Sequence, residues 1–193
     1  MAAKRQAPRI GTLTETSLHA ALKQQYGRAG AQFETLVDGY VVDVVTADHL
    51  VEIQTGNFAG IKRKLAQLLA HHPIRLVYPI AQDTWIVRES AAGEPLGRRK
   101  SPKRGRLQDV FGELVYIPHL LGHPNLTLDV LLTQQEEVRR DDGQGSWRRR
   151  GWSIHDRRLL GVLATYSFGA PRDWLTLLPP ALSEPFTNRE LAT

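Results

Sequence analysis

The stretch from Gly39 to Lys64 constrains this chain most, because its hydrophobic pattern predicts a tight β-hairpin that leads directly into a helix. If Ala47-Asp48 is a two-residue turn, Asp43 on the first arm lies directly opposite Glu52 on the second, with Gln54 one pair further along. Like charges that face each other destabilise a sheet. We therefore expect the two carboxylates to be exposed or to bind a cation between them, which is typical of a divalent metal site.

The composition is that of an ordinary globular protein, with 41% hydrophobic and 23% charged residues. The 193 residues suffice for one sizeable core with a small appendix. The chain has no cysteine, which excludes disulfides, thiolate zinc sites and a cysteine nucleophile. No run of 18 apolar residues occurs and the basic N-terminus lacks a signal-peptide core, so we expect a cytoplasmic protein without membrane contact.

Hydrophobic periodicity over residues 12–88 predicts an α/β fold class, in the order helix, three antiparallel strands, helix, strand. Thr12 or Thr14 is expected to cap the first helix, and Glu15 lies in its first turn. Asp38-Gly39 is the expected turn between the first two strands. The predicted elements are a helix over residues 14–26, strands over 33–38, 41–45 and 50–54, a helix over 58–71, and strands over 74–80 and 84–88.

The second half of the chain predicts further elements after a basic loop. Residues 89–106 contain three glycines and two prolines, which predicts a mobile loop. We expect a helix over residues 109–116, a strand over 126–137, a hairpin tip over 141–145, a returning arm over 146–153, and helices over 157–166 and 171–178. Thr187 with Glu190 forms a capping box. This motif predicts the start of a helix close to the last residue of the sequence, so we expect a truncated helical segment such as a winged helix.

These elements predict three regions. Residues 1–11 are expected to be a disordered leader, residues 12–153 an α/β domain that contains the basic loop, and residues 154–193 a helical C-terminal segment.

Two basic clusters predict a polyanionic partner, although solvated loops are the alternative interpretation. The first cluster consists of Arg98, Arg99, Lys100, Lys103, Arg104 and Arg106. The second contains five arginines within residues 148–158. Trp147 and Trp152 are interleaved with it, and we expect them to pack in the core or on a strand, with base stacking as the alternative.

The element order and the strand acids resemble the PD-(D/E)xK nuclease superfamily, which has the restriction-endonuclease-like fold. Asp43 corresponds to the first acid, Glu52-Ile53-Gln54 to the ExK element, and Glu15 to an additional acid in the first helix. The resemblance implies phosphodiester hydrolysis of nucleic acid, DNA rather than RNA, with Mg²⁺ or Mn²⁺ held by Asp43, Glu52 and the Ile53 carbonyl. Glu15 would serve a second metal or its water shell, and the first basic cluster would grip phosphates.

Gln54 departs from this pattern, which has lysine at that position. An amide can orient the attacking water but cannot stabilise charge as an ammonium does. Lys62 or Lys64 in the following helix could supply the charge instead. A catalytically inactive nucleic-acid-binding module and an interaction subunit remain the alternatives, and a homodimer or a larger complex stays open.

Overall fold

A mixed sheet of seven strands organises the part of the chain that the computed structural model describes, namely residues 15–27 and 29–178 with Pro185, Thr187 and Arg189. The strands are β1 (Gln32–Val37), β2 (Tyr40–Val45), β3 (Leu50–Ile53), β4 (Ile74–Glu89), β5 (Pro95–Lys100), β6 (Leu126–Arg140) and β7 (Ser153–Phe168). The helices are α1 (Ser17–Tyr26), α2 (Phe58–Leu68) and the short α3 (Phe111–Leu114). The protein therefore belongs to the mixed α/β class.

The first three strands form the predicted antiparallel meander. Asp38 and Gly39 have φ of +47° and +84°, as a two-residue turn of this kind requires. Val45 pairs with Leu50, which confirms residues 47–48 as the centre of the second turn. The predicted order of helix, three antiparallel strands, helix and strand is thus confirmed.

Helices cover both faces of the sheet. Helix α1 packs through Leu18 and Leu22 on a cluster that includes Val44 of β2. Helix α2 packs on the opposite face, where its cluster includes Val42 of β2. Residues two apart in a regular strand share a face. Val42 and Val44 nevertheless belong to different clusters, so the regular alternation of side chains along β2 is interrupted at Asp43, which lies between them.

Strand β4 has two successive neighbours along one edge, and Pro79 separates them. β3 pairs in parallel with residues 74–77, whereas β5 pairs antiparallel with residues 85–89. The Val77 carbonyl accepts a hydrogen bond from the Gln54 N–H at 2.8 Å, so the Val77 backbone faces β3. The nitrogen of Pro79, two residues further along, faces the same edge but carries no hydrogen to donate. Pairing with β3 ends there. We call residues 78–84, which pair with β6 but have no strand partner on the edge shared by β3 and β5, the gap.

Beyond the gap the sheet continues as an extension. β6 pairs in parallel with β4 from Ile74 to Glu89, and β7 runs back antiparallel along β6. β5 covers the other edge of β4. We call this extension, residues 83–106 and 136–158, the arm.

Three predictions for the second half of the chain are wrong. The expected mobile loop over 89–106 contains β5, which pairs with β4. The returning arm expected over 146–153 is instead a turn that contains a 3₁₀ helix, Trp147–Arg149, and the helix expected over 157–166 is replaced by β7. Pairing with β6 over its whole length outweighs the helix propensity of this segment. The domain boundary expected at residue 154 therefore falls inside the main sheet, and residues 154–168 are not part of a helical segment.

Smaller differences concern element ends. The two strands expected over 74–80 and 84–88 are one strand, β4. Helix α1 begins at Ser17 with Thr16 as its cap, and the helix expected over 109–116 is a short turn of 3₁₀ helix followed by α3. Several predictions concern parts of the chain that lie outside the described residues. These are the leader, the caps Thr12 and Thr14, and most of residues 179–193, where the capping box and winged helix were expected.

The longest helix of the described residues, α2, has eleven residues, and no helix in this part of the chain could span a bilayer.

Candidate functional site

Asp43 lies at the break in β2 and is held from two directions. Its Oδ2 accepts a hydrogen bond from the Ile53 N–H at 2.8 Å, and its Oδ1 lies 3.2 Å from Nε2 of His19 on α1. Burial alone would raise the pKa of Asp43, but His19, the Ile53 N–H and Lys64 together hold it below its usual value. Asp43 is therefore an ionised carboxylate in a fixed orientation.

Glu52 is the buried member of the acid pair, with 5% of its surface exposed. Burial raises the pKa of Glu52 to about 7, and the negative charge of Asp43 adds to this rise while Lys64 opposes it. Its Oε1 is fully buried and receives no hydrogen bond of good geometry. Its one cationic contact is the Lys64 ammonium. A buried carboxylate in this state favours an additional positive charge beside it.

Helix α2 brings Lys64 to the acid pair. The Lys64 Nζ contacts Glu52 Oε1 and donates a hydrogen bond to the Val41 carbonyl at 2.6 Å. Lys62, two residues earlier, is exposed on the solvent side of the same helix. Of the two lysines that the sequence offered in place of a lysine at position 54, Lys64 is the one that reaches the site.

Glu15 does not join the acid pair. Its carboxylate forms an ion pair with Lys23 at 2.5 Å, and Lys23 also pairs with Glu34 at 2.9 Å. The residue of α1 that reaches Asp43 is His19, which sequence reasoning missed. A signal was present, because His19 and Lys23 lie four residues apart and so share one face of α1.

Gln54 and Ile53 end β3 at the gap. Ile53 is buried and orients Asp43 through its N–H. Gln54 is partly exposed and is bonded through its backbone N–H to Val77. A cavity of about 490 Å³ occupies the gap next to it, with a polar lining that includes Thr55, Tyr78, Lys103, Gln135 and Arg157. Crevices beyond the carboxyl ends of strands are the usual ligand sites of open α/β sheets.

The first basic cluster is built into β5 and the turn that follows it. Arg98 pairs with Glu136 at 2.8 Å, while Lys100 and Arg104 pair with Asp83 at 2.9 and 3.5 Å. Arg98 and Lys100 also lie over the Trp85 ring, at 5.0 and 5.2 Å from its centroid. Arg99, Lys103 and Arg106 form no ion pair with other described residues. These three cations are available to a polyanion.

The acid pair can be tested against the ligand preferences of Mg²⁺. Asp43 and Glu52 offer hard oxygen ligands, and the Lys64 ammonium already contacts one of them, Glu52 Oε1. Among the described residues no three histidine, aspartate or glutamate side chains converge as a metal site. Mg²⁺ commonly takes one or two carboxylates and keeps several waters. The donor set therefore fits Mg²⁺ held by two carboxylates, with water completing the coordination.

Fold and site together define a mixed α/β protein with a buried carboxylate, lysine and histidine cluster at a break in its sheet. The chain belongs to the family described as a domain of unknown function, DUF8091, whose model matches residues 16–169. A Treponema pallidum (strain Nichols) protein described as uncharacterized is 34% identical over 176 residues, which cover 91% of this chain and 69% of the relative. No solved structure matches the chain significantly. The family match runs from the cap of α1 past the end of β7, so it includes the acid pair and the arm.

Proposed function

We propose that this protein is a Mg²⁺-dependent nuclease of the restriction-endonuclease-like fold, with DNA as the favoured substrate. The observation that carries the proposal is the cluster of Asp43, Glu52 and Lys64 near the end of β3. Two carboxylates that can hold a divalent cation, with one ammonium beside them, suit a reaction in which negative charge develops on a phosphate. The element order of residues 15–89 supports the same proposal.

Asp43 and Glu52 are the residues that would hold Mg²⁺. Bound there, the ion would lower the pKa of a water molecule and neutralise charge on the scissile phosphate. The Ile53 N–H fixes Asp43 so that its carboxylate keeps one orientation. Preorganised groups of this kind cost no reorganisation during the reaction.

The remaining residues of the cluster have separate tasks. Lys64 supplies the positive charge that an amide at position 54 cannot supply. Gln54, at the mouth of the gap, would orient the attacking water through its amide. His19 is a positioning residue, because it contacts Asp43 and acts on the reaction through it.

The test compares cleavage of plasmid, single-stranded DNA and RNA by the wild type and by Asp43→Asn and Glu52→Gln, with Mg²⁺ or Mn²⁺. Both substitutions keep the side-chain shape and remove a charge. We expect metal-dependent cleavage that falls at least about 100-fold in each variant, while nucleic-acid binding stays within about twofold. Asp48→Asn is the matched control, since Asp48 is an exposed carboxylate in the turn of the same hairpin. Absence of wild-type cleavage, or full cleavage by both variants, would overturn the proposal.

A further inference from the structure

The tip of the hairpin between β6 and β7 exposes a tryptophan among arginines. Trp147 has 83% of its surface in solvent, far more than a tryptophan that contributes to a core. Arg148, Arg149 and Arg150 follow it directly. The Arg148 guanidinium lies 5.6 Å from the Trp147 ring centroid. The expectation that Trp147 packs in the core or on a strand is therefore wrong.

Backbone hydrogen bonds order the tip, residues 145–152, so Trp147 is exposed from a folded turn. The Gly145 N–H donates to the Gly151 carbonyl at 2.8 Å, and the Arg150 N–H donates to the Trp147 carbonyl at 3.0 Å. The Arg149 Nε donates to the Trp152 carbonyl at 3.2 Å. Trp152 faces the arm, where Arg88 lies 5.2 Å from its ring centroid. Trp147 alone of the two is directed outward.

The arm carries the positive charge of the whole protein. Its residues, 83–106 and 136–158, include fourteen arginines and lysines against eight aspartates and glutamates, a net charge of +6, whereas the entire chain carries +5. Several arm carboxylates are already paired, as Glu89 is with Arg140 at 3.0 Å and Glu137 with Arg139 at 2.6 Å. The surplus cations therefore face solvent in an elongated element, which favours a linear polyanion.

The arm points away from the acid pair in the direction in which β3 ends. β3, β4 and β6 are parallel, so their carboxyl ends share one direction. Ile53 pairs with Val77, and β4 continues from there to Glu89, at the base of the tip. At a rise of about 3.3 Å per residue, these twelve residues span roughly 40 Å. A strand of nucleic acid that leaves the acid pair along the gap can reach the tip.

We propose that the tip, residues 145–152, binds single-stranded nucleic acid by stacking an unpaired base on Trp147, with the Arg148–Arg150 run on the flanking phosphates. An unpaired base can stack on the exposed Trp147 ring, as nucleic-acid bases do on aromatic side chains. The neighbouring Arg148 guanidinium can then make a cation–π contact with that base. The inference deepens the proposed function, on which it rests, by naming a single-stranded segment as the substrate that runs from the acid pair to the tip.

An anionic membrane is the competing partner for a basic, aromatic tip. Membrane insertion requires a larger apolar surface than one tryptophan provides. The immediate neighbours of Trp147 are Ser146 and Arg148, so no second apolar side chain adjoins it in the sequence. Nucleic acid therefore fits the observations better.

The test measures binding of a fluorescent single-stranded oligonucleotide of about 30 nucleotides, without metal, so that cleavage does not enter. We expect Trp147→Ala to weaken binding about tenfold or more and Trp147→Phe to retain most of the affinity, because a phenyl ring still stacks. Leu36→Ala is the control, since Leu36 is also an exposed apolar residue, with 69% of its surface in solvent, on β1 at the opposite edge of the sheet. The same variants are tested on a blunt duplex and on phosphatidylserine vesicles.

The outcomes separate this inference from the proposed function. If Trp147→Ala weakens single-strand binding while the wild type never cleaves, the tip inference stands and the nuclease proposal fails. If the wild type cleaves and Trp147→Ala binds single strands within about twofold of wild type, the tip inference is overturned. Equal losses on the blunt duplex, or a loss on vesicles alone, would overturn it as well.

Discussion

The ammonium of Lys64 contacts the buried carboxylate of Glu52, so that α2 supplies to β3 the positive charge that position 54 lacks. Lys64 is also anchored on the Val41 carbonyl, which fixes the ammonium between β2 and β3. The charge therefore comes from a tertiary contact rather than from the strand itself. This arrangement makes distinct predictions for the two positions.

Replacing Lys64 should impair cleavage much more than replacing Gln54. We expect Lys64→Met to lower kcat about 100-fold or more, because it removes the one ammonium of the cluster. Gln54→Ala should lower kcat about tenfold, because water orientation alone is lost. Single-turnover cleavage with Lys62→Met as the control measures the difference. A larger loss in Gln54→Ala than in Lys64→Met would contradict the assignment.

His19 should act through Asp43. Because Nε2 of His19 lies 3.2 Å from Asp43 Oδ1, His19→Ala frees one side of that carboxylate, and we expect a loss of about tenfold in kcat with little change in KM. The side-chain amide of His19→Gln can still donate a hydrogen bond, so this variant should recover most of the rate. Steady-state kinetics of both variants test the role, and failure of glutamine to rescue would argue against positioning.

Charge substitutions on the arm should change nucleic-acid binding in opposite directions. Arg99→Gln removes an unpaired cation, so binding should weaken and the slope of log affinity against log salt should decrease by about one. Glu136→Gln releases Arg98 from its ion pair and removes a negative charge, so binding should tighten. Titrations at several salt concentrations measure both effects. Unchanged affinity in both variants would exclude the arm as the binding surface.

Asp156 should make stability depend on acidic pH. It accepts hydrogen bonds from the Ser17 N–H at 2.9 Å and the Ser17 hydroxyl at 2.6 Å, which tie β7 to the first turn of α1. Burial would raise the pKa of Asp156, but these and further hydrogen bonds hold it below its usual value. The stabilisation is therefore complete above pH about 4 and is lost as the pH falls through the lower pKa of the folded state.

The variant Asp156→Asn tests this dependence. At pH 7 it should lower the free energy of unfolding by about 1–2 kcal/mol, since two hydrogen bonds to a charged acceptor are weakened. The difference from wild type should shrink as the pH falls below about 4, because the wild-type carboxylate is then protonated too. Urea unfolding across this pH range measures it. A difference that stays constant with pH would show that the charge of Asp156 contributes nothing.

The acid hairpin was predictable because local chemistry determines it. Asp38-Gly39 and Ala47-Asp48 set the two turns, and the turns set the register of β1, β2 and β3. Period-two alternation then identified the strands. It did not reveal that Val42 and Val44 pack in different clusters, because period-two alternation places them on one face.

The arm was not predictable because its strands depend on distant partners. β7 pairs with β6 through three register shifts, which obscure the alternation that identifies a strand. β5 contains glycine, proline and a run of cations, and only its pairing with β4 makes it a strand. His19 was missed for a similar reason, and the sequence did not distinguish Lys64 from Lys62, since a helix sequence does not indicate which strand residue faces it.

The parallel pairing of β4 with β6 also affects how the chain is synthesised and folded. The partners lie about 50 residues apart, so the centre of the sheet cannot close until Arg140 has left the ribosome. The β1–β2–β3 meander needs only local contacts and can form earlier. Before β6 is synthesised, one entire edge of the apolar strand β4 has no strand partner, and such an exposed edge can pair with other chains. A translation product that stops before Leu126 should therefore aggregate rather than remain a smaller folded unit.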